Sequence, residues 1–518
     1  MFTRSICSRA APAVRWSSSH ATMPLRAKVT NPTFTGKPQM STSSSPAPDS
    51  KQDKTTEEHQ HDAPEDVLFN TLYGLRSIEL NRPKKLHSLN GSMIRKITPR
   101  LQEWAKSGMA NVIVIKGSGP KAFCAGGDVL SLAKDNLTGE EGQQRSADYF
   151  ASEYKLDYLI ATYKRPYVAF LDGITMGGGV GLSIHAPFRI ATERTLFAMP
   201  ETTIGFFPDV GASFFLPRMN GAVGTYLALT SERLKGVNAF YAGIATHYIH
   251  STSLPALESR LAELRFKDYH TISERNELIN ATIEEYTTGL PHDEPMLISG
   301  ELRNAIDRCF GQDNVPAIIQ ALQAEVGSTK AWAEETLATL EKRSPISVHV
   351  TLRQMRLGRG WNIKETFQRE HQIAAKFMRH QDFTEGVHAL LVRKDSPKWK
   401  PTSLKDIKPD DKTIDSFFTI DGEMLQLEGT AEFVTYPHLR FGIPREADVK
   451  EFVEKGAKSQ KAVVEHFVQE RAGKQGVEVI VKEIVQRRTR KEDGVLVWLP
   501  DLAFAGATPR AEAEPTAA

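Results

Sequence analysis

The chain has 518 residues, too many for one ordinary hydrophobic core, so we expect a large domain with additional segments. Its 65 basic and 63 acidic residues nearly balance, which excludes the overall charge of a dedicated nucleic-acid or polyanion binder. Cys7, Cys124 and Cys309 are widely spaced and form no CxxC or CxH pair, which argues against a disulfide framework or a zinc site. No apolar run is long enough to cross a bilayer, so the sequence predicts a soluble protein without membrane insertion.

The N-terminal segment differs in composition from the rest of the chain. Its arginines lie among Ser and Ala: Arg4, Arg9, Arg15 and Arg26. The first acidic residue is Asp49, and a cationic, acid-free start is typical of a mitochondrial transit peptide; a merely disordered tail is the alternative. Residues 40–64 are polar and rich in Pro and Ser, so they cannot bury enough surface to fold. We exclude residues 1–64 from the fold and expect a protein of the mitochondrial matrix.

From Val67 onward, strand-like and helix-like segments alternate. The strand-like runs are VLFN (67–70), LRSIEL (75–80), NVIVIKG (111–117), PYVAFLDG (166–173), FRIAT (188–192) and TLFAM (195–199). Helical patterns run from an Asn90 cap to Trp104, from about Gln143 to Thr162, and near Leu182. Strands separated by helices predict an α/β domain.

The second half of the chain has a different predicted secondary structure. After about Val223 the pattern is largely helical to Trp399, and a tail begins after Pro401. The tail has its own helical pattern over residues 447–486 and a final apolar stretch, VLVWLP. Its basic stretch VQRRTRK (485–491) lies among acidic residues, so a solvated face is the default interpretation. A protein or RNA contact is the alternative.

Two glycine-rich segments each follow a strand-like run and open a helix-like one: KAFCAGGDVLSLAK (121–134) and GITMGGGVGLSIHA (173–186). Glycines at such turns let backbone N–H groups approach a ligand, and a helix N-terminus adds partial positive charge. Neither segment matches a dinucleotide fingerprint or a phosphate loop. From the residues alone, tight strand-to-helix packing explains each turn equally well.

The residues that nucleophilic or metal-dependent catalysis would need are missing or badly placed in this sequence. GLSIH (181–185) has no final glycine and so is not a nucleophile elbow. Cys124 lies between Phe123 and Ala125, where a buried thiol that behaves as a small hydrophobe is expected; a nucleophile is the alternative. His185 and His247 have no partner at ligand spacing, so we expect core histidines and no metal.

Two acids stand in an apolar stretch, MPETTIGFFPDVG (199–211), that contains no basic residue. Glu201 and Asp209 would lose hydration there unless they are paired or take part in chemistry. Turn capping or bracing is the structural alternative.

Four segments together resemble the crotonase, or enoyl-CoA hydratase/isomerase, superfamily: ELNRPKKLHSLN (79–90), KAFCAGGD (121–128), GITMGGGVGLS (173–183) and MPETTIGFFPDVG (199–211). Within it, other segments are similar to the group of 3-hydroxyisobutyryl-CoA hydrolases: ATERTLFAMPET (191–202), FFPDVGASFFLPR (206–218), LKGVNAFYAGIATHYI (234–249) and DFTEGVHALLVRKDSPKWKP (382–401). The resemblance runs from about Val67 to Pro401.

The resemblance implies an α/β crotonase-like fold of repeated ββα units wound as a spiral. It implies a catalytic core over 65–330, a helical part of the hydrolase over 331–402, and an additional C-terminal extension over 403–518. It also implies that the backbone N–H groups of Gly127 and Gly178 form an oxyanion hole for a thioester carbonyl. Glu201 falls on the catalytic carboxylate of the family.

One departure favours a hydrolase over a hydratase. Where hydratases have a second glutamate, this chain has Gly181, and an acid appears instead at Asp209. Glu153 matches a further substrate-contacting acid of the hydrolase group. The resemblance thus implies that Glu201 and Asp209 are catalytic, that Glu153, Gly178, Glu201 and Asp209 bind substrate, and that the reaction releases CoA from 3-hydroxyisobutyryl-CoA in valine catabolism. 3-Hydroxypropionyl-CoA is an alternative substrate.

At the CoA end, the resemblance places Arg82 and Lys84 where adenine-phosphate contacts often begin in the family, and Lys121 precedes the first glycine-rich turn. Lys and Arg suit a phosphate-rich ligand, although surface lysines are common. CoA is part of the substrate, so no separate cofactor is expected. Some fungal relatives of the hydrolases belong to the small subunit of the mitochondrial ribosome, which makes a structural role there the second hypothesis, with or without activity. A homo-oligomer and a core buried within one chain both remain open, and we expect no DNA partner.

Overall fold

The computed structural model describes residues 63–500. The predicted transit peptide and linker, except for residues 63 and 64, and the last eighteen residues, 501–518, lie outside the described part of the chain.

Twelve strands are present in residues 63–500. They are β1 Val67–Leu72, β2 Leu75–Leu80, β3 Val112–Gly117, β4 Ala122–Cys124, β5 Tyr167–Leu171, β6 Ile174–Met176, β7 Phe188–Ala191, β8 Leu196–Ala198, β9 Leu234–Lys235, β10 His247–Tyr248, β11 Thr489–Glu492 and β12 Val495–Trp498. The main sheet has the order β1-β2-β3-β5-β7-β10, and all its pairs are parallel except β1 with β2. A smaller sheet has the order β4-β6-β8-β9, and β11 and β12 form a separate antiparallel hairpin.

The helices of the first half are α1 Gly91–Lys106, α2 Val129–Asn136, α3 Glu140–Ala161, α4 Gly178–Ile184, α5 Ala212–Phe215, α6 Val223–Thr230, α7 Val237–Tyr241, α8 Leu254–Glu263 and α9 Ile272–Glu284. Those of the second half are α10 Gly300–Phe310, α11 Val315–Ala324, α12 Lys330–Leu340, α13 Pro345–Leu357, α14 Ile363–Arg379, α15 Gln381–Val387, α16 Lys412–Phe418, α17 Glu446–Glu454, α18 Gln460–Glu470 and α19 Val477–Arg488. Within the described range, no helix is both long and apolar enough to span a bilayer.

The local sequence explains the early elements. The Asn90 side chain accepts a hydrogen bond from the Met93 N–H at 2.9 Å, so it caps α1 as predicted. The apolar residues of α1 recur at helical spacing, and Ile97, Leu101 and Trp104 are buried. The first four residues of β3 are apolar and buried on both faces of the sheet, as expected for a strand in a covered parallel sheet. The α/β prediction is therefore confirmed.

The small sheet positions the two glycine-rich turns. β4 and β6 are neighbouring parallel strands, and each ends directly before one of the turns. Because the carboxyl ends of parallel strands lie at the same edge of a sheet, the two turns emerge side by side. These short strands, together with β9 and β10, were not predicted from the sequence, because two or three residues give no readable period.

The described part of the C-terminal extension, residues 403–500, packs against the rest of the chain. Apolar side chains of α16, α17, α18 and α19 belong to the same hydrophobic core as those of the catalytic region. An ion-pair network extends this contact: Glu446 of α17 lies 3.2 Å from Arg303 of α10, 2.8 Å from Arg487 and 3.0 Å from Arg488. Arg487 and Arg488 of the 485–491 stretch are thus buried in intramolecular pairs. The prediction of a solvated face is wrong for these two residues, because the fold turns them toward Glu446.

Candidate active site

A cavity of about 210 Å³ lies where the two glycine-rich turns meet. All five residues for which the sequence predicts a place in the oxyanion hole or acyl site line it: Gly127, Glu153, Gly178, Glu201 and Asp209. The remaining wall is largely apolar and includes Phe150, Ile204 and Phe206. The arrangement joins polar groups from four separate segments in largely apolar surroundings.

The first turn directs a backbone donor away from the sheet. Leu89 N–H donates to the Gly126 carbonyl at 2.8 Å, and Asp128 N–H donates to the Leu89 carbonyl at 2.8 Å. In such a parallel bridge the residue between the two bonded groups points its own N–H to the opposite side. Gly127 is that residue, so its N–H is left for the cavity that it lines.

The second turn supplies a matching donor. Gly178 is the first residue of α4, so its N–H belongs to the helix turn that has no internal acceptor. A β-carbon on Gly178 would lie 3.4 Å from the Gly127 nitrogen and would collide with Oε1 of Glu153. Only glycine permits this close approach of the two turns.

Glu201 lines the same cavity as the two glycine turns. It opens a short 3₁₀ helix, Glu201–Ile204, just after β8. A β-carbon on Gly177 would lie 3.1 Å from Oε1 of Glu201, so the carboxylate sits against the second turn. Its Oε2 is buried without a hydrogen-bond partner. Burial raises the pKa of Glu201 well above its ordinary value, and the charges of Asp209 and Glu153 raise it further.

The other two predicted acids are also buried. Asp209 accepts a hydrogen bond from the Tyr154 hydroxyl at 2.8 Å. Burial raises the pKa of Asp209 to about 7, and the Tyr154 bond opposes that rise. Glu153, on α3, has a buried Oε1 without a partner, and burial followed by the charge of Asp209 raises its pKa well above the ordinary value. Three carboxyl groups therefore compete for protons around one cavity.

Two further buried acids were missed by sequence reasoning. Asp157 lies one turn after Glu153 on α3, and neither of its carboxylate oxygens has a hydrogen-bond partner. Burial raises its pKa well above the ordinary value. The i, i+4 spacing from Glu153 was a signal that could have found it. Glu370, on α14, gave no local signal; burial raises its pKa to about 8.

At position 181, where hydratases have their second glutamate, this chain has no room for a side chain. A β-carbon on Gly181 would lie 2.6 and 2.8 Å from the two carboxylate oxygens of Asp157 and 2.8 Å from Cβ of Val210. These distances are shorter than van der Waals contact, so no side chain fits at position 181 without displacing its neighbours.

The three basic residues predicted at the CoA end do not line the cavity. Arg82 donates to Asp128 at 2.8 Å and to the Ser88 carbonyl, so it braces the first glycine turn. Lys84 and Lys121 are exposed. Their contact with CoA stays a prediction.

The residues expected in the core are buried. Burial raises the pKa of the Cys124 thiol to about 12, as expected for an inert thiol. His185 and His247 are each 1% exposed, and burial lowers the pKa of each to about 4.

Asp209→Asn should stabilise the fold increasingly as the pH rises. The folded-state pKa of Asp209, about 7, lies above its ordinary value of 3.8, so the folded chain holds this proton more tightly than the unfolded chain does. Stability is therefore lost as the pH rises from about 4 through 7, and the variant avoids that loss. We expect a relative gain on the order of 2 kcal/mol between pH 5 and 8, since each pKa unit corresponds to about 1.4 kcal/mol and the neighbouring acids share the effect.

Urea unfolding at the two pH values measures this gain. Asp410→Asn removes an exposed carboxyl and serves as the control. Parallel pH profiles for Asp209→Asn and the unaltered protein would contradict the assignment of a raised pKa.

Comparisons with known proteins agree with the fold. A family model described as enoyl-CoA hydratase/isomerase matches residues 75–418. The chain is 61% identical over 443 residues to the small ribosomal subunit protein mS47 of Neurospora crassa, covering 84% of this chain and 87% of that protein. It is 43% identical over 358 residues to the mitochondrial 3-hydroxyisobutyryl-CoA hydrolase of Gallus gallus, covering 69% and 89% respectively. The crystal structure of a carnitinyl-CoA dehydratase from Mycobacterium thermoresistibile superposes with a TM-score of 0.62 at 31% identity, covering 71% of this chain and 100% of that one.

Proposed function

The chain belongs to the enoyl-CoA hydratase/isomerase family, and on that premise we propose that it hydrolyses the thioester of 3-hydroxyisobutyryl-CoA to the free hydroxy acid and CoA. The observation that carries the proposal is the single cavity shared by the Gly127 and Gly178 amides and the Glu201 carboxylate. 3-Hydroxypropionyl-CoA is a second candidate substrate. Since CoA is part of the substrate, the reaction needs no separate cofactor.

The two amides would act as the oxyanion hole. The thioester carbonyl oxygen accepts hydrogen bonds from Gly127 and Gly178, and both strengthen as negative charge develops on that oxygen. Donors fixed in advance in a water-poor cavity are each worth on the order of 3 kcal/mol in the transition state.

Glu201 would act on the acyl carbon by one of two routes. In the first, its carboxylate oxygen bonds to the acyl carbon, the carbon–sulfur bond breaks, and the thiolate leaves; water then hydrolyses the mixed anhydride. In the second, Glu201 takes a proton from a water molecule whose oxygen attacks the same carbon; the carbon–sulfur bond then breaks, and the leaving thiolate takes up that proton. Both routes need the ionised form of Glu201.

Asp209 and Glu153 would select the acyl group. Asp209 would orient water or the hydroxyl of the substrate, and Oε1 of Glu153, which is buried without a partner, would accept a hydrogen bond from that hydroxyl. A site built to bind a hydroxyl disfavours acyl groups that lack one, because its buried polar atoms are then unpaired.

Hydration of an enoyl-CoA is a weaker candidate. It requires two carboxylates that position one water across a double bond, and the second position is Gly181, where Asp157 and Val210 leave no room for a side chain. The test is direct: the purified protein should release free thiol from 3-hydroxyisobutyryl-CoA and should leave the absorbance of crotonyl-CoA unchanged. The opposite pattern would replace this proposal with a hydratase.

Glu153→Gln should lower discrimination between hydroxylated and plain acyl groups. We expect kcat/KM for 3-hydroxyisobutyryl-CoA to fall about 30-fold, while that for isobutyryl-CoA changes little, because only the first substrate has the hydroxyl that Glu153 would bind. Glu141→Gln, an exposed change on the same helix, is the control. An equal fall for both substrates would assign Glu153 a structural role instead.

A structural role in the small subunit of the mitochondrial ribosome is the second candidate. It is favoured by the similarity to mS47, which covers 84% of this chain, including residues beyond the family model. The chain would then co-sediment with that subunit at high salt. Both roles can coexist, and retention of the buried acids favours activity, because a scaffold gains nothing from unpartnered carboxyl groups.

Either role is consistent with the mitochondrion, which is the location that we propose. The hydrolase relatives carry the word mitochondrial in their names. The composition of residues 1–64 supports the same location.

A further inference from the structure

The loop that carries Asp209 has a strained backbone. Val210 has a φ of +54°, in the left-handed region that β-branched residues avoid, and Gly211 follows with a φ of +86°. A strained residue persists only where its surroundings hold it, and such residues cluster at functional sites. Contacts that hold Val210 therefore also fix the neighbouring Asp209.

Besides the bond from Tyr154 to the Asp209 side chain, three side chains form hydrogen bonds with the backbone of this loop. Gln354 of α13 donates to the Pro208 carbonyl at 2.7 Å. Glu370 of α14 accepts from the Gly211 N–H at 2.7 Å and from the Ser213 N–H at 2.9 Å. The third contact is His185, whose Nε2 lies 2.9 Å from the carbonyl oxygen of Val210 itself.

The chemistry of the third contact fixes the direction of its hydrogen bonds. A carbonyl oxygen only accepts, so Nε2 of His185 must carry the proton. In the neutral ring Nδ1 is then an acceptor, and it receives the hydroxyl of Tyr436 at 2.7 Å. Burial lowers the pKa of His185 to about 4, which keeps the ring neutral at physiological pH. The hydrogen bonds thus run from the Tyr436 hydroxyl through the His185 ring to the Val210 carbonyl.

Tyr436 belongs to the extension, eighteen residues beyond residue 418, where the family model ends. Its ring is held edge-on against Phe214, with centroids 4.8 Å apart, and packs near Phe433 at 5.8 Å. The hydroxyl is thus aimed at His185 by a fixed ring.

We infer that Tyr436 is a positioning residue for the acyl site: through His185 it holds Val210 and so fixes Asp209. The inference rests on the proposed hydrolase function. It gives the extension a part in catalysis, since a residue outside the family domain completes the support of a loop inside it.

Tyr436→Phe tests this with the ring retained and the hydroxyl removed. We expect kcat for 3-hydroxyisobutyryl-CoA to fall about tenfold, because a small displacement of a catalytic group has a large effect on rate, while KM changes less than about twofold. Tyr158→Phe is the matched control: its hydroxyl also joins the core to the extension, by donating to the Ala431 carbonyl at 2.9 Å, but does not reach the loop. Equal kcat values for Tyr436→Phe and Tyr158→Phe would overturn the inference.

A double variant distinguishes loss of the relay, the hydrogen-bond chain from Tyr436 through His185 to Val210, from a general loss of packing around the loop. His185→Leu should lower kcat at least as much as Tyr436→Phe, and the combined variant should be no worse than His185→Leu alone, because both changes break one chain of bonds. Additive effects would overturn the inference.

Hydrogen exchange distinguishes failure of this inference from failure of the proposed function. Amides of residues 206–213 should exchange faster in Tyr436→Phe than in Tyr158→Phe, whatever the substrate. Faster exchange in a protein without hydrolase activity would refute the function and leave the support of the loop intact. Unchanged exchange would refute the relay.

Discussion

Glu201→Gln is expected to reduce the release of CoA from 3-hydroxyisobutyryl-CoA by a factor on the order of 10³ or more. The amide has nearly the same shape as the carboxylate but can neither bond to the acyl carbon as a carboxylate does nor take a proton from water. Glu201 is 5% exposed and its Oε2 has no hydrogen-bond partner, so the change removes a buried acid without breaking a pair through that atom. The loss should therefore appear in kcat and leave folding intact.

Free thiol release and thermal unfolding measure the two expectations together. Glu335→Gln, an exposed change on α12, should behave as the unaltered protein does. If Glu201→Gln keeps more than a tenth of the activity with an unchanged melting temperature, the hydrolysis depends on another group.

Gly178→Ala should lower kcat by a factor on the order of 10² to 10³, the effect of losing one oxyanion donor. The added methyl keeps the N–H group but collides with Oε1 of Glu153 and comes within 3.4 Å of the Gly127 nitrogen. Either Glu153 or the turn must move, and in both cases the two donors lose their common position.

Gly108→Ala is the matched control, because a β-carbon there meets no atom within 4 Å and its φ lies outside the left-handed region. It should keep full activity. Combining Gly178→Ala with Glu153→Ala removes the collision, and comparison with Glu153→Ala alone shows whether the loss comes from crowding. Wild-type kcat in Gly178→Ala itself would exclude an oxyanion role for that turn.

Periodic segments made much of the fold predictable. The apolar run of β3 and the Asn90 cap of α1 each depend on a few neighbouring residues. The structure contains both as predicted. The site itself depended on family resemblance, because local sequence shows that two turns are rich in glycine but not that they meet. Their meeting follows from the pairing of β4 with β6, strands of only three residues each.

Long-range contacts explain why the sequence did not predict the roles of several residues. Glu370 bonds to Gly211 across 159 positions, and Tyr436 bonds to His185 across 251. Nothing near these residues in the sequence distinguishes them from an ordinary helical glutamate or a surface tyrosine. Arg487 and Arg488 show the same limit, since only the folded chain reveals that Glu446 neutralises them.

The buried ion pairs around Glu446 have a practical consequence for anyone shortening this chain. A fragment that stops where the family model stops would keep Arg303 and Asp307 but lose the glutamate and the two arginines that complete their network. Such a fragment would expose the remaining Arg303–Asp307 pair and the apolar surface that the extension covers, and newly exposed apolar surface favours precipitation over a smaller working enzyme.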